Sequence, residues 1–121
     1  MIKKRVKYRG KDCICDIDFS QYVNNGVLAC IVSEDGFPNV VTVNLDMIPN
    51  IAFGSFIDTN NAPDIADFLK DNGFGVLTEI KAKSGFCTYP LFVFDKKLVK
   101  EASPETYDTY VKTFGKLYNI K

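Results

Sequence analysis

Val27-Leu28-Ala29-Cys30-Ile31-Val32, the turn Glu34-Asp35-Gly36-Phe37-Pro38 and the run Val40-Val41-Thr42-Val43-Asn44-Leu45 decide the fold class. The first run is apolar on both faces, and such a strand belongs at the centre of a sheet, covered on two sides. The second is rich in β-branched residues, which suit a pleated surface. Joined by the turn, they predict an antiparallel hairpin. Asn24-Asn25-Gly26 sets another turn just before them.

Working outward toward the N-terminus, Cys13-Ile14-Cys15-Asp16-Ile17-Asp18-Phe19 alternates. Cys13, Cys15, Ile17 and Phe19 share one face and Ile14, Asp16 and Asp18 the other, so one face is buried and one wet. Lys3 to Arg9 alternates more loosely, with Val6 and Tyr8 on one side. Gly10-Lys11 turns the chain between the two segments, which predicts a second hairpin.

Toward the C-terminus, Met47-Ile48-Pro49-Asn50 connects to a strand at Ile51–Ile57, where Gly54 marks a bulge. A short helix is predicted from Pro63 to Asp71, with Ile65, Phe68 and Leu69 on one stripe and Asn72-Gly73 ending it. Phe74–Ile80 is a weaker strand, Lys81–Gly85 a loop and Phe86–Phe94 a strand. Pro90 lacks a ladder donor and so marks an edge or a bulge. The last helix starts with Ser103 as N-cap and Pro104 in its first turn, carries Tyr107, Tyr110, Val111, Phe114, Leu117 and Tyr118 at helical spacing, and tolerates Gly115 as a mild flaw. The expected fold is α+β. One domain spans residues 1–121, with a mostly antiparallel twisted sheet of five to six strands and two helices packed on one face. A roll or half-barrel is a variant, because Gly54 and Pro90 allow strong bending.

The chain has 121 residues, enough for one core without covalent staples. Ten Phe and six Tyr but no Trp point to a ring-filled core. No apolar run reaches the roughly 18 residues of a membrane span. The basic N-terminus is not followed by the apolar region of a signal peptide, so the expected location is the cytoplasm. Net charge is zero but segregated. Residues 1–12 carry six Lys/Arg against Asp12, residues 13–74 nine acids against Lys70, and the remainder eight Lys against five acids. The middle can present an acidic face and the start a basic one.

The sequence contains no His. That excludes imidazole-based triads and His-containing zinc sites. Cys13-x-Cys15 has no partner pair at ligand spacing, and Cys13, Cys15, Cys30 and Cys87 read as reduced thiols, three of them inside apolar runs. No glycine-rich phosphate loop appears. No catalytic residue, metal site or cofactor is therefore assigned. Two polar segments remain as ligand-binding candidates. Asp58-Thr59-Asn60-Asn61 reads first as a strand-to-helix turn with Asx capping and otherwise as a polar pocket for an anion at a helix N-terminus. Ser84, Cys87 and Tyr89 lie on a glycine-hinged strand. Lys3, Lys4, Arg5, Lys7 and Arg9 are candidate phosphate contacts, with Tyr8 interleaved as a stacking ring, although lysines also guard sheet edges.

Three stretches in order resemble a family of small uncharacterised bacterial proteins found on plasmids and conjugative elements. They are Tyr22-Val23-Asn24-Asn25-Gly26-Val27-Leu28-Ala29; Thr42-Val43-Asn44-Leu45 with Asp58-Thr59-Asn60-Asn61; and Ser84-Gly85-Phe86-Cys87-Thr88-Tyr89-Pro90-Leu91. The similarity covers about residues 8–95 and leaves the helix at about 103–118 as an addition. It implies a domain of unknown function in a bacterial cytosol, in an accessory role on a mobile element. The expected function is a non-enzymatic binding protein with a protein partner from the host or the transfer machinery. The alternatives are a small ligand-binder or enzyme using Asp58–Asn61 with Cys87–Tyr89, and a nucleic-acid binder using the basic start.

Overall fold

The computed structural model describes residues 1–120. Strands β1 (Ile2–Tyr8), β2 (Lys11–Gln21), β3 (Leu28–Glu34) and β4 (Phe37–Val40) form an antiparallel meander in that spatial order, sheet A. Strands β5 (Thr42–Val43), β6 (Gly54–Ile57), β7 (Gly75–Ser84) and β8 (Cys87–Phe94) form sheet B in the order β5-β6-β8-β7. Three helices complete the described residues: α1 (Ile65–Asp71), α2 (Lys96–Ala102) and α3 (Pro104–Phe114). The protein is a single small α+β domain with antiparallel pairing throughout. In detail it has two four-stranded sheets rather than one of five to six strands, and three helices rather than two.

The division into two sheets arises at Val41. The hairpin expected around Asp35-Gly36 forms, with both residues at positive φ as a tight primed turn requires. Its second strand, however, changes partner midway. Residues Phe37–Val40 pair with β3, whereas Thr42–Val43 pair with β6. Val41 serves both sheets: its N–H donates to Cys30 O at 3.0 Å and its carbonyl accepts from Asp58 N at 2.9 Å. Ser55 Oγ, fully buried, adds a second tie by donating to Leu28 O at 2.6 Å.

The alternation read in β2 holds, with Cys15, Ile17 and Phe19 buried and Ile14 exposed. Strand β3 lies between β2 and β4, at the interior of sheet A. Phe19 of sheet A meets Phe94 of sheet B edge to face at 5.3 Å, and Leu28, Ile57, Leu69 and Phe92 fill the space around them. The rings supply much of this core, because each removes about 150–250 Å² from water.

The helices do not share one face of one sheet. Helices α2 and α3 pack on β2, and α1 packs on β7. Helix α2 was not anticipated; Asp95 caps it by accepting from Lys97 N at 3.1 Å, and Leu98, Val99 and Ala102 are its buried residues. Helix α1 begins at Ile65, two residues later than Pro63. Ser103 precedes α3 as read, but its hydroxyl is spent elsewhere: it accepts from Phe19 N at 2.8 Å and donates to Asp18. Gly115 ends α3 instead of interrupting it.

Two further differences concern the strands. The β6 strand begins at Gly54, and the strained residue is Phe53, at φ 61°. Strand β7 runs on through Ser84, where a loop was expected, with a register irregularity between Leu77 and Lys81. Pro90 lies in β8, an interior strand rather than an edge. It is tolerated because the ladder from β8 to β6 ends at Leu91, and Pro90 pairs with Lys81 at the irregularity.

Candidate functional site

Beyond its pairing with β5, the chain from β6 makes a last bond to the shared strand at Asp58, whose N–H donates to Val41 O, and then turns away through Asn61 into α1. This opens a cleft of about 340 Å³ between sheet A and the 58–68 segment. Its floor is apolar, from Val32, Val40, Val41, Ile65 and Phe68, with Cys13 and Cys15 beneath. Its polar rim holds Glu34, Asn39, Asp58, Asn61 and Asp64. Three carboxylates on one rim make an anion unwelcome. The segment's first reading, a strand-to-helix turn, is the one the geometry displays; α1 has seven residues, and acids ring its approach, where the other reading put an anion.

The Asp58–Asn61 turn is built locally. Asn61 Nδ2 donates to Asp58 Oδ2 at 2.7 Å, and Asn61 N donates to Asp58 Oδ1 at 3.3 Å. Thr59 N donates to Ile57 O at 2.8 Å, which holds the bend. Asp58 and Asn61 line the cleft; Thr59 and Asn60 belong to the turn but not to its wall. Among the described residues Glu34 and Asp58 have no ion-pair partner, whereas Asp64 meets Arg9 at 3.5 Å and the Tyr8 hydroxyl at 3.3 Å.

The second candidate segment does not join this cleft. Tyr89 is buried with Phe56 and Leu91 in a separate apolar cluster, against which Cys87 packs. Phe56 pairs with Leu91, so Asp58 and Tyr89, each two residues beyond, lie at the same end of sheet B. The Tyr89 phenol is raised above its ordinary value, first by hydrogen bonding with the Cys87 side chain, then by burial and by the charges of Cys87 and Asp58. Ser84 is exposed at the end of β7, where the chain turns through Gly85-Phe86 into β8.

The basic start is divided. Lys3, Arg5 and Lys7 are exposed on one side of β1, and Lys4 is half-buried on the other, 5.7 Å from the Phe74 ring. Lys3 pairs with Asp16 at 3.1 Å, and Arg9 lies 5.1 Å from the Tyr8 ring as well as against Asp64. Folding thus sets the acids of the middle segment beside the early cations.

Glu34, Asn39, Asp64 and the two thiols were not singled out as site residues in the sequence. The β2 alternation places Cys13 and Cys15 on the inner face, but nothing local marks Glu34 as a cleft wall. Burial raises the Cys15 thiol from 9.0 to about 11, with the neighbouring Cys13 and Glu34 adding to it, and burial raises Cys30 further. All four cysteines are free thiols. Among the described residues no group of three or more His, Cys, Asp or Glu is placed to hold a metal, and no helix is long and apolar enough to cross a membrane.

The stretches Tyr22–Ala29 and Thr42–Leu45 meet in space. Asn24, Asn25, Asn44 and Asp46 form a linked set of side chains: Asn24 Nδ2 donates to Asp46 at 2.8 Å, Asn44 Nδ2 to Asn24 at 2.7 Å and Asn25 Nδ2 to Asn44 at 3.0 Å. Tyr22 and Thr42 hydroxyls bond at 2.9 Å below them. These polar residues fasten the 22–26 turn to the strand entering sheet B, a structural use.

A family model described as a domain of unknown function (DUF4313) matches residues 16–114. The matched span includes α3 through Phe114, as well as the cleft from Glu34 to Phe68. No curated protein and no solved structure matches the chain. The protein belongs to the DUF4313 family, a domain of unknown function.

Proposed function

We propose that the protein is a non-enzymatic binding protein whose cleft takes a basic and apolar segment of a protein partner. The observation that carries this reading is the combination of an apolar floor with Glu34 and Asp58 on the rim, free of ion pairs among the described residues. A lysine or arginine aliphatic stem suits such a floor while its charged head meets the rim. The free side of β4, exposed along its length, borders the cleft and offers backbone groups to an extended chain. The resemblance to plasmid and conjugative-element proteins supports an accessory role on a bacterial mobile element, exercised in the cytoplasm.

The test is a nuclear magnetic resonance titration with an acetylated, amidated peptide alternating Lys and Leu. Saturable shifts confined to Glu34, Asn39, Asn61 and Ile65, weakened by salt and by Glu34→Gln with Asp58→Asn, support the reading. Absence of shifts at low salt would sink it. A second reading is a small amphipathic cation, since about 340 Å³ falls within the range of small-ligand pockets. Saturation by an aryl-alkyl ammonium ion, with no response to the peptide, selects it.

A further inference from the structure

The β7–β8 hairpin ends in a two-residue loop, Gly85-Phe86, between the paired residues Ser84 and Cys87. The Phe86 side chain is fully exposed, at 107% of its reference area. Lys81 and Lys83 are exposed on the same side of β7, just behind the loop. A phenyl ring held in water at the tip of an ordered hairpin, flanked by two cations, is the inverse of the cleft. The cleft has an apolar floor and an acidic rim. One chain therefore carries both halves of a complementary contact, and full exposure of Phe86 shows that its hairpin does not occupy its own cleft.

We infer that the partner segment taken by the cleft is the Lys81–Phe86 hairpin tip of a second copy of this chain. The inference rests on the proposed binding role of the cleft. Phe86 enters over Val32, Val40 and Phe68, and Lys81 and Lys83 meet Glu34 and Asp58. Each tip–cleft contact joins two different surfaces; two of them exchanged reciprocally close an isologous dimer, and unreciprocated ones extend to further copies. The charge arrangement also opposes the alternatives of tip against tip and cleft against cleft, which would set like charges together.

The experiment is sedimentation velocity across a concentration series of the full chain at low and high salt. The expected result is a mass that rises with concentration, more so at low salt. Phe86→Ser and the double variant Lys81→Glu with Lys83→Glu lower self-association at least tenfold. All three positions are exposed, so folding is retained and checked by circular dichroism. Glu34→Lys likewise weakens self-association, but mixing it with the Lys81→Glu, Lys83→Glu variant restores association. A wild-type chain that stays monomeric to its solubility limit overturns the inference, as does association unaffected by Phe86→Ser. If that monomer still takes the Lys-Leu peptide in its cleft, only the identity of the partner falls; if it takes neither, the binding role falls too.

Discussion

Asn72, which follows α1, completes the open edge of β1 at Lys7: its Oδ1 accepts from Lys7 N at 2.7 Å, and its Nδ2 donates to Lys7 O at 2.9 Å. A single carboxamide thus occupies both backbone groups that a neighbouring strand would pair. The same Nδ2 also donates to Phe68 O at 2.9 Å, which anchors the end of α1. Edge strands invite pairing with other chains, and this plug blunts one.

Asn72→Ala removes these bonds from a half-exposed position. The expected loss is about 1.5–3 kcal/mol, at about 0.5–1 kcal/mol for each of the three bonds. Asn72→Asp keeps the acceptor but sets an oxygen against Lys7 O, so it does no better. Urea denaturation of both variants checks this, and a midpoint equal to wild type for either one counts against the edge role.

Gly73 and Gly75 are close in sequence and opposite in tolerance. Gly73 has φ 74° with nothing within 4 Å of an added Cβ, so Gly73→Ala costs about 1–2 kcal/mol of backbone strain. At Gly75 an added Cβ meets Val93 O at 2.0 Å and Phe94 Cα at 2.9 Å, both backbone atoms of the paired strand. Gly75→Ala is expected to cost more than about 4 kcal/mol and to leave little folded protein. Thermal unfolding of the pair ranks them.

Tyr110 is 1% exposed, stacks on Phe53 at 4.7 Å, and its hydroxyl accepts from Phe53 N at 2.8 Å. Tyr110→Phe keeps the ring and strands that N–H, at a residue already at φ 61°. The expected loss is about 1–3 kcal/mol, the cost of an unsatisfied buried donor. A stability equal to wild type would mean that water or a shift of the loop replaces the bond.

Alkaline pH is predicted to unfold the protein through its thiols before its phenols. Burial raises Cys15 from 9.0 to about 11, so the folded thiol keeps a proton that the unfolded thiol loses. The unfolded state then binds fewer protons, and stability falls as pH rises from about 9 toward 11. Cys30 and Tyr110, also raised by burial, extend the fall upward. Cys15→Ala flattens the slope of stability against pH in that window, whatever its effect at neutral pH; an unchanged slope refutes the assignment.

Features fixed by neighbours in sequence were the legible ones. Asp35-Gly36 turns because of its own backbone preferences, the alternation of Cys13 to Phe19 names the buried face of β2, and the Asp58–Asn61 turn follows from Asx chemistry. The corner at Val41 was not legible, because Val40-Val41-Thr42-Val43 is uniformly β-forming and the change of partner depends on Asp58 and Cys30. Helix α2 was missed because its apolar residues Leu98, Val99 and Ala102 are few and set among lysines. The cleft was half-visible: Asp58 and Asn61 announced themselves, but Glu34 becomes a wall only when the chain turns away after Asp58. The acidity of the rim was half-visible too, since Asp58 and Asp64 share the connection before α1 but Glu34 arrives from β3.

The shared strand through Val41 also has a consequence in time. Sheet A pairs only chain neighbours, β1 to β4, which keeps its loops short and its formation fast. Sheet B must join Ser55 to Phe92 across the whole α1–β7 excursion, a slower closure. Because Phe37–Val43 belongs to both, the early meander presents a ready-made first strand on which the later sheet assembles. Hydrogen exchange during refolding is expected to protect Ile17 and Val32 before Ser55 and Phe92.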